Sequence, residues 1–158
     1  MNAPSVEIYS LLVPLAGGRL LIPRACVAEI MGFQTPTLMA GAPPWYLGLV
    51  NWNGRAAPLV SFEGICGEPV PETSSRSRVV LLQALAERLE AGVFGIVSQG
   101  FPQLVRVSRD VIRSDPAYAV PANDPVLCRV RMLNEMPRIP DLDRLEALIA
   151  DETSVSAA

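Results

Sequence analysis

The stretch Gly48-Leu49-Val50-Asn51-Trp52-Asn53-Gly54-Arg55-Ala56-Ala57-Pro58-Leu59-Val60-Ser61-Phe62 decides how the rest of the chain is read. Asn53-Gly54 lies between two apolar runs. A two-residue hairpin turn needs positive φ at both central residues, which Asn and Gly adopt at little cost. Leu47 to Trp52 is therefore expected as one strand and Arg55 to Ser61 as its antiparallel partner. Pro58 donates no ladder hydrogen bond, so its nitrogen must face an edge or a bulge.

The same alternation of apolar runs and turn residues continues in both directions. Val6 to Leu15 and Arg19 to Ile22 flank Ala16-Gly17-Gly18 as another hairpin. Pro23 stops that ladder and suits the start of one short helical turn. Residues 31–47, rich in Pro and Gly, read as a loop holding at most a short strand. Phe62 to Gly67 is a short turn, Glu68 to Arg76 an exposed loop, and Arg78 to Ala84 a strongly apolar strand. A charged hairpin tip at residues 86–90 leads to a strand at Gly92–Ser98, and after Gln99-Gly100 another follows at Gln103–Val107.

Further on, Ser108 is a candidate cap for a helix running into Val111-Ile112. Pro116 to Pro121 is expected to be extended. Val126 to Leu133 reads as a strand whose Arg129 and Arg131 share a solvent-facing side. Asn134-Glu135 turns the chain into a short extended piece at Arg138–Pro140. Asp141 can cap a terminal helix from Leu142 to about Ala150, with Leu142, Leu145, Leu148 and Ile149 on its buried stripe. Short strands at regular spacing indicate a mainly β barrel or sandwich. Residues 5–150 are expected as one domain and residues 151–158 as a flexible tail.

Composition narrows the chemistry. With 158 residues, half of them hydrophobic, the chain can bury a core without cross-links. The net charge of −3 offers no basic stripe for nucleic acid. All 13 basic residues are Arg, with neither Lys nor His. That excludes a Ser-His-Asp triad, a Schiff-base or P-loop lysine and a histidine metal site. Cys26, Cys66 and Cys128 are odd in number, widely separated and without Cys-x-x-Cys spacing, which fits buried thiols in a reducing compartment. No basic residue precedes the first apolar run, and no run is long enough to cross a bilayer, so a cytoplasmic protein without membrane insertion is expected. No cofactor or metal is expected.

The order of residues carries more than the pattern. Gly48-Leu49-Val50-Asn51-Trp52-Asn53-Gly54, followed by a strand with a proline, resembles the signature of the CheW-like family. These are the coupling proteins of bacterial chemosensory arrays. Ile22-Pro23-Arg24-Ala25-Cys26-Val27-Ala28-Glu29-Ile30 matches the family's Ile-x-x-x-x-Val-x-Glu-Ile with its spacing intact. Gly95-Ile96-Val97-Ser98-Gln99 keeps the glycine of a third motif and loses its acid. The resemblance implies two small SH3-like β-barrel subdomains sharing one core, and no catalysis.

It also implies an adaptor that binds the cytoplasmic tips of methyl-accepting chemoreceptors and the regulatory domain of a CheA-type histidine kinase. Carried over, Val27, Glu29, Gly48, Asn51 and Asn53 would bind receptor, and Tyr118 would contact the kinase. Two departures stand out. Asn53 replaces the family's receptor-contacting Arg, and Ser61-Phe62-Glu63 replaces Asp-Leu-Arg. Both suggest a divergent member, such as one serving type IV pilus motility. Two other classes compete: a small-ligand-binding β-barrel, and an enzyme built on carboxylates or a cysteine, for which Cys66 is the thiol nearest a turn.

Overall fold

The computed structural model describes residues 6–119, 124–132 and 134–156. In chain order the strands are β1 (Ile8–Leu15), β2 (Gly18–Pro23), β3 (Val27–Gly32), β4 (Tyr46–Trp52), β5 (Arg55–Val60), β6 (Arg78–Gln83) and β7 (Val93–Ser98). They continue as β8 (Gln103–Val107), β9 (Ile112–Ser114), β10 (Val126–Met132) and β11 (Arg138–Pro140). Two α-helices, α1 (Phe62–Ile65) and α2 (Leu142–Ser156), and a 3-10 turn at Arg24–Cys26 complete the set.

The strands form two sheets, in the orders β8-β1-β2-β11-β10-β9 and β3-β6-β7-β5-β4. All neighbours are antiparallel except β2 with β11 and β5 with β7. Side-chain alternation explains why the central strands read as unbroken apolar runs: they are buried on both faces. Leu12 and Leu21 point into a cluster inside the six-stranded sheet, with Val107, Val130 and Met132. Their neighbours Leu11, Val13, Leu20 and Ile22 point the other way. Likewise Val79, Leu81, Val93 and Val97 fill the five-stranded sheet, while Val80, Leu82, Phe94 and Ile96 turn outward. The outward faces of both sheets meet in one shared core, which Leu145 and Ile149 of α2 complete. The architecture is thus mainly β, two curled subdomains around a common core.

The central hairpin forms as its sequence requires. Asn53 and Gly54 have φ of 50° and 79°, and Trp52 pairs with Arg55 across the turn. Counting from that pair, Leu49 opposite Pro58 is a non-hydrogen-bonded position. Leu49 accordingly gives both its N–H and its carbonyl to Thr37, on the outer side of β4. The Pro58 nitrogen points away from β4, and pairing of β5 with β7 begins only at Leu59. A bulge between Tyr46 and Gly48 lets Tyr46 face the shared core while Val50 faces the second subdomain.

Several expectations are corrected. Val27–Gly32, where the sequence suited one short turn running into a loop, is the edge strand β3. Ser108 caps no helix: its carbonyl accepts from the N–H groups of Val111 and Ile112 in a turn that feeds β9. Pro116 and Ala117 lie in a turn instead of an extended run, and residues 120 and 121 fall outside the described part, as does Leu133. Asp141 does cap α2, accepting from the Arg144 N–H at 3.1 Å. The helix, however, runs to Ser156, past the expected end at Ala150. Thr153 bonds Tyr46 Oη at 2.9 Å, tying that extension to β4. Of the expected stripe, Leu145 and Ile149 are buried, Leu142 and Leu148 half-buried.

Candidate functional site

The residues expected to bind a receptor fall on the five-stranded sheet, at strands that are opposite edges in hydrogen-bond order. Val27 and Glu29 lie on β3; Gly48 and Asn51 lie on β4, with Asn53 at its hairpin tip. The curl of the sheet brings the two edges back together. Trp52 Nε1 donates to Glu29 Oε2 at 2.6 Å, a bond joining β4 to β3 across the seam. Trp52 also packs on the second subdomain's core together with Ala28 and Met31 of β3.

Val27 is half-buried against the shared core. With Glu29, Ile30, Arg24, Glu7 just ahead of β1 and the β1 residues Tyr9 and Leu11, it lines an open groove of about 720 Å³ between the subdomains. Ile8 and Tyr9 are unusually exposed for apolar strand residues, at 51% and 48%. The sequence reading had not singled out that wall of the groove. Arg106 on β8 sits 5.7 Å from the Tyr9 ring centre. The groove therefore pairs an apolar floor with charges of both signs at its rim, a shape suited to an amphipathic segment.

The other three residues are held chiefly by the hairpin. Asn51 Oδ1 accepts from the Gly54 N–H at 3.1 Å, bracing the turn. Gly48 is buried with φ of 136°, and a Cβ there would lie 2.3 Å from the Thr37 carbonyl oxygen. Its glycine is a packing requirement. Asn53 is exposed in a conformation that costs most side chains roughly 1–2 kcal/mol, so an Arg at this position would bear strain. Arg55 donates to the Ala91 carbonyl at 3.4 Å. Glu63, at the family's Arg position, is not a surface charge: it is buried, accepting from the Ala16 N–H at 3.1 Å and Gln99 Nε2 at 3.4 Å. It pins the β1–β2 turn to α1 as an internal brace.

Tyr118 is half-buried, with the Arg129 guanidinium 4.7 Å from its ring centre. Arg129 does not simply meet solvent as expected. It pairs with the fully buried Asp115 carboxylate at 2.7 Å, and Arg131 reaches the same group at 3.4 Å. The Arg129 hydrogen bond, together with the Ala117 N–H and the charge of Arg131, holds the Asp115 carboxyl below the usual carboxylate range against the cost of its burial. A folded-state pKa depressed in this way adds stability above the unfolded value of about 3.9, which is lost as pH falls through the folded value. An Asp115→Asn variant is expected to be less stable than the parent at neutral pH. It should also lose less of its remaining stability between about pH 5 and pH 2. Urea unfolding at stepped pH measures this, and parallel acid limbs would count against it.

Cys66 is a poor nucleophile here. Burial pushes its thiol up to about 11, against the opposing charge of Arg138. No helix among the described residues is long and apolar enough to cross a membrane.

Comparison with known proteins identifies the family and the fold. Over 93 residues the chain is 28% identical to the chemotaxis protein CheW of Rhizobium meliloti, a match covering 59% of this chain and 57% of that protein. The chain thus spans less than two thirds of that relative. The fold matches the crystal structure of the scaffolding protein TtCheW from Thermoanaerobacter tengcongensis with a TM-score of 0.71 at 15% identity, covering 87% of this chain and 86% of that one. The CheW-like domain model matches residues 10–148, nearly the whole of both subdomains, and the chain belongs to the CheW-like domain family.

Proposed function

We propose that this protein is a non-catalytic adaptor of a bacterial chemosensory array, coupling chemoreceptor tips to the regulatory domain of a CheA-type kinase. The observation that carries the reading is the family match across residues 10–148, joined to an open groove lined by Val27 and Glu29. In this reading the receptor segment lies in that groove, with Glu29 at its rim, and the hairpin bearing Asn51 and Asn53 borders the contact. Gly48 contributes by shape alone. Tyr118, on the other subdomain, faces the kinase. The protein works in the cytoplasm beside membrane-bound receptors, and Asn53 in place of Arg suits an accessory array such as one controlling type IV pilus motility.

The test is calorimetric titration with the regulatory domain of a CheA-type kinase and with a receptor-tip fragment, both from the same cell. Tyr118→Ala is expected to lose the first and keep the second. Glu29→Gln leaves Trp52 an amide oxygen to bond, so its melting temperature should stay within about 3 °C of the parent, corresponding to about 1 kcal/mol or less. Receptor affinity should nevertheless fall several-fold. Unchanged affinity in a folded Glu29→Gln variant would confine Glu29 to closing the sheet, and saturable metabolite binding without kinase affinity would favour a ligand-binding barrel.

A further inference from the structure

Three arginines on three neighbouring strands line one pocket of about 230 Å³: Arg19 of β2, Arg138 of β11 and Arg129 of β10. Arg129 and Arg138 are direct cross-strand partners. Like charges directly opposite one another destabilise a sheet unless something negative answers them. Asp115 answers Arg129, and Glu135 answers Arg19 at 3.1 Å. Arg138 has no such partner: among the described residues it forms no ion pair, and its guanidinium contacts only the neutral Cys66 thiol and the Phe62 ring, whose centre is 5.6 Å away. Glu68, the acid lining the pocket, is ion-paired to none of the three among the described residues. Half-buried Tyr118 and Met136, which is 52% exposed, add apolar surface beside the cations.

We propose that this pocket receives an acidic side chain from a protein partner, its carboxylate bound by the Arg138 guanidinium in the field of Arg19 and Arg129. A guanidinium presents paired N–H donors that match a carboxylate. The volume admits one side chain and is too small for a nucleotide, and the flanking Tyr118 and Met136 would pack on the methylenes that carry the acid. This deepens the adaptor reading by giving Tyr118's surface a charge preference: the matching patch on the kinase regulatory domain carries an Asp or Glu at its centre.

Two titrations decide it. The kinase regulatory domain is expected to bind Arg138→Gln about tenfold more weakly than the parent, with a flatter salt dependence, whereas Arg76→Gln on an exposed loop binds as the parent does. Loss of one of two facing like charges should also leave Arg138→Gln melting no lower than the parent, which separates lost contact from lost fold. Equal affinity and equal salt dependence in Arg138→Gln would overturn the proposal while leaving the adaptor reading intact. If the kinase domain does not bind the parent at all, that reading fails, and an N-acetylated tetraglutamate peptide then decides the pocket alone. Saturable shifts of the Arg19, Arg129 and Arg138 side-chain N–H resonances, absent with sodium chloride at matched ionic strength, would uphold it. Their absence would end it.

Discussion

Gly48→Ala is expected to lower the unfolding free energy by about 3 kcal/mol, from a strained backbone and an overfilled contact together. The new methyl carbon would stand 2.3 Å from the Thr37 carbonyl oxygen and 2.8 Å from its carbon. Both belong to backbone that a rotamer change cannot move. Thr37 exchanges two hydrogen bonds with Leu49, at 2.8 and 2.9 Å, so pushing it away also breaks that bridge. The φ of 136° adds a penalty that any side chain would bear. Urea unfolding measures the effect, and a variant within about 0.5 kcal/mol of the parent would contradict it. The result also bears on function. A Gly48 variant that fails to bind receptor does so through a displaced loop and hairpin, so binding loss there is no sign that Gly48 touches the partner.

Glu146→Ala is expected to cost a similar amount, about 2–4 kcal/mol, because it orphans two backbone donors. Glu146 lies on the inward side of α2 with its side chain 2% exposed. Its two oxygens accept from the N–H groups of Ala86 and Arg88, at 3.1 and 3.2 Å, in the β6–β7 connection. Arg88 folds over the same carboxylate at 3.6 Å and over Asp143 at 2.9 Å. One buried acid thus fastens the terminal helix to a loop of the five-stranded sheet. Glu146→Gln retains one acceptor and is expected to lose roughly half as much. Amide exchange at Ala86 and Arg88 should speed up in both variants, and unchanged exchange in Glu146→Ala would refute the clamp.

Much of this fold was legible where local chemistry is decisive. Asn53-Gly54 fixed a turn, Asp141 a cap, and the apolar runs the strands buried on both faces. The losses occurred where a tertiary partner overrides a local signal. Ser108 has the right side chain for a cap, yet the strand β10 waiting beside Ile112 makes extended backbone the better-paired choice. Residues 151–153 look like solvated tail until Tyr46, far away in sequence, supplies a partner for Thr153. Arg129 alternates onto an outer face and so reads as exposed, and only the folded turn after β9 places Asp115 beneath it.

The candidate site divides in the same way. The collinear spacing around Val27, Glu29 and Asn51 picked out residues of two strands, β3 and β4, that the fold brings together, because family spacing reflects the fold as a whole. What it could not give was the division of labour among them. Glu29 and Asn51 each spend a polar group on the hairpin, and Gly48 spends its missing side chain on Thr37. Tyr9 escaped notice because an aromatic in an amphipathic strand is ordinarily core. Tyr9 instead stands 48% exposed, with the Arg106 guanidinium of β8 5.7 Å from its ring centre.

The two subdomains differ in how they are drawn from the chain. All five strands of one lie between Val27 and Ser98, whereas the other joins the β1–β2 hairpin to strands that follow Ser98. On the ribosome, the uninterrupted subdomain can close as soon as β7 has emerged. The hairpin face carrying Leu12 and Leu21 must wait exposed until Val107, Val130 and Met132 arrive. Contacts of such long sequence separation form late and slowly. The β1–β2 hairpin is therefore the part of the nascent protein most open to chaperone capture.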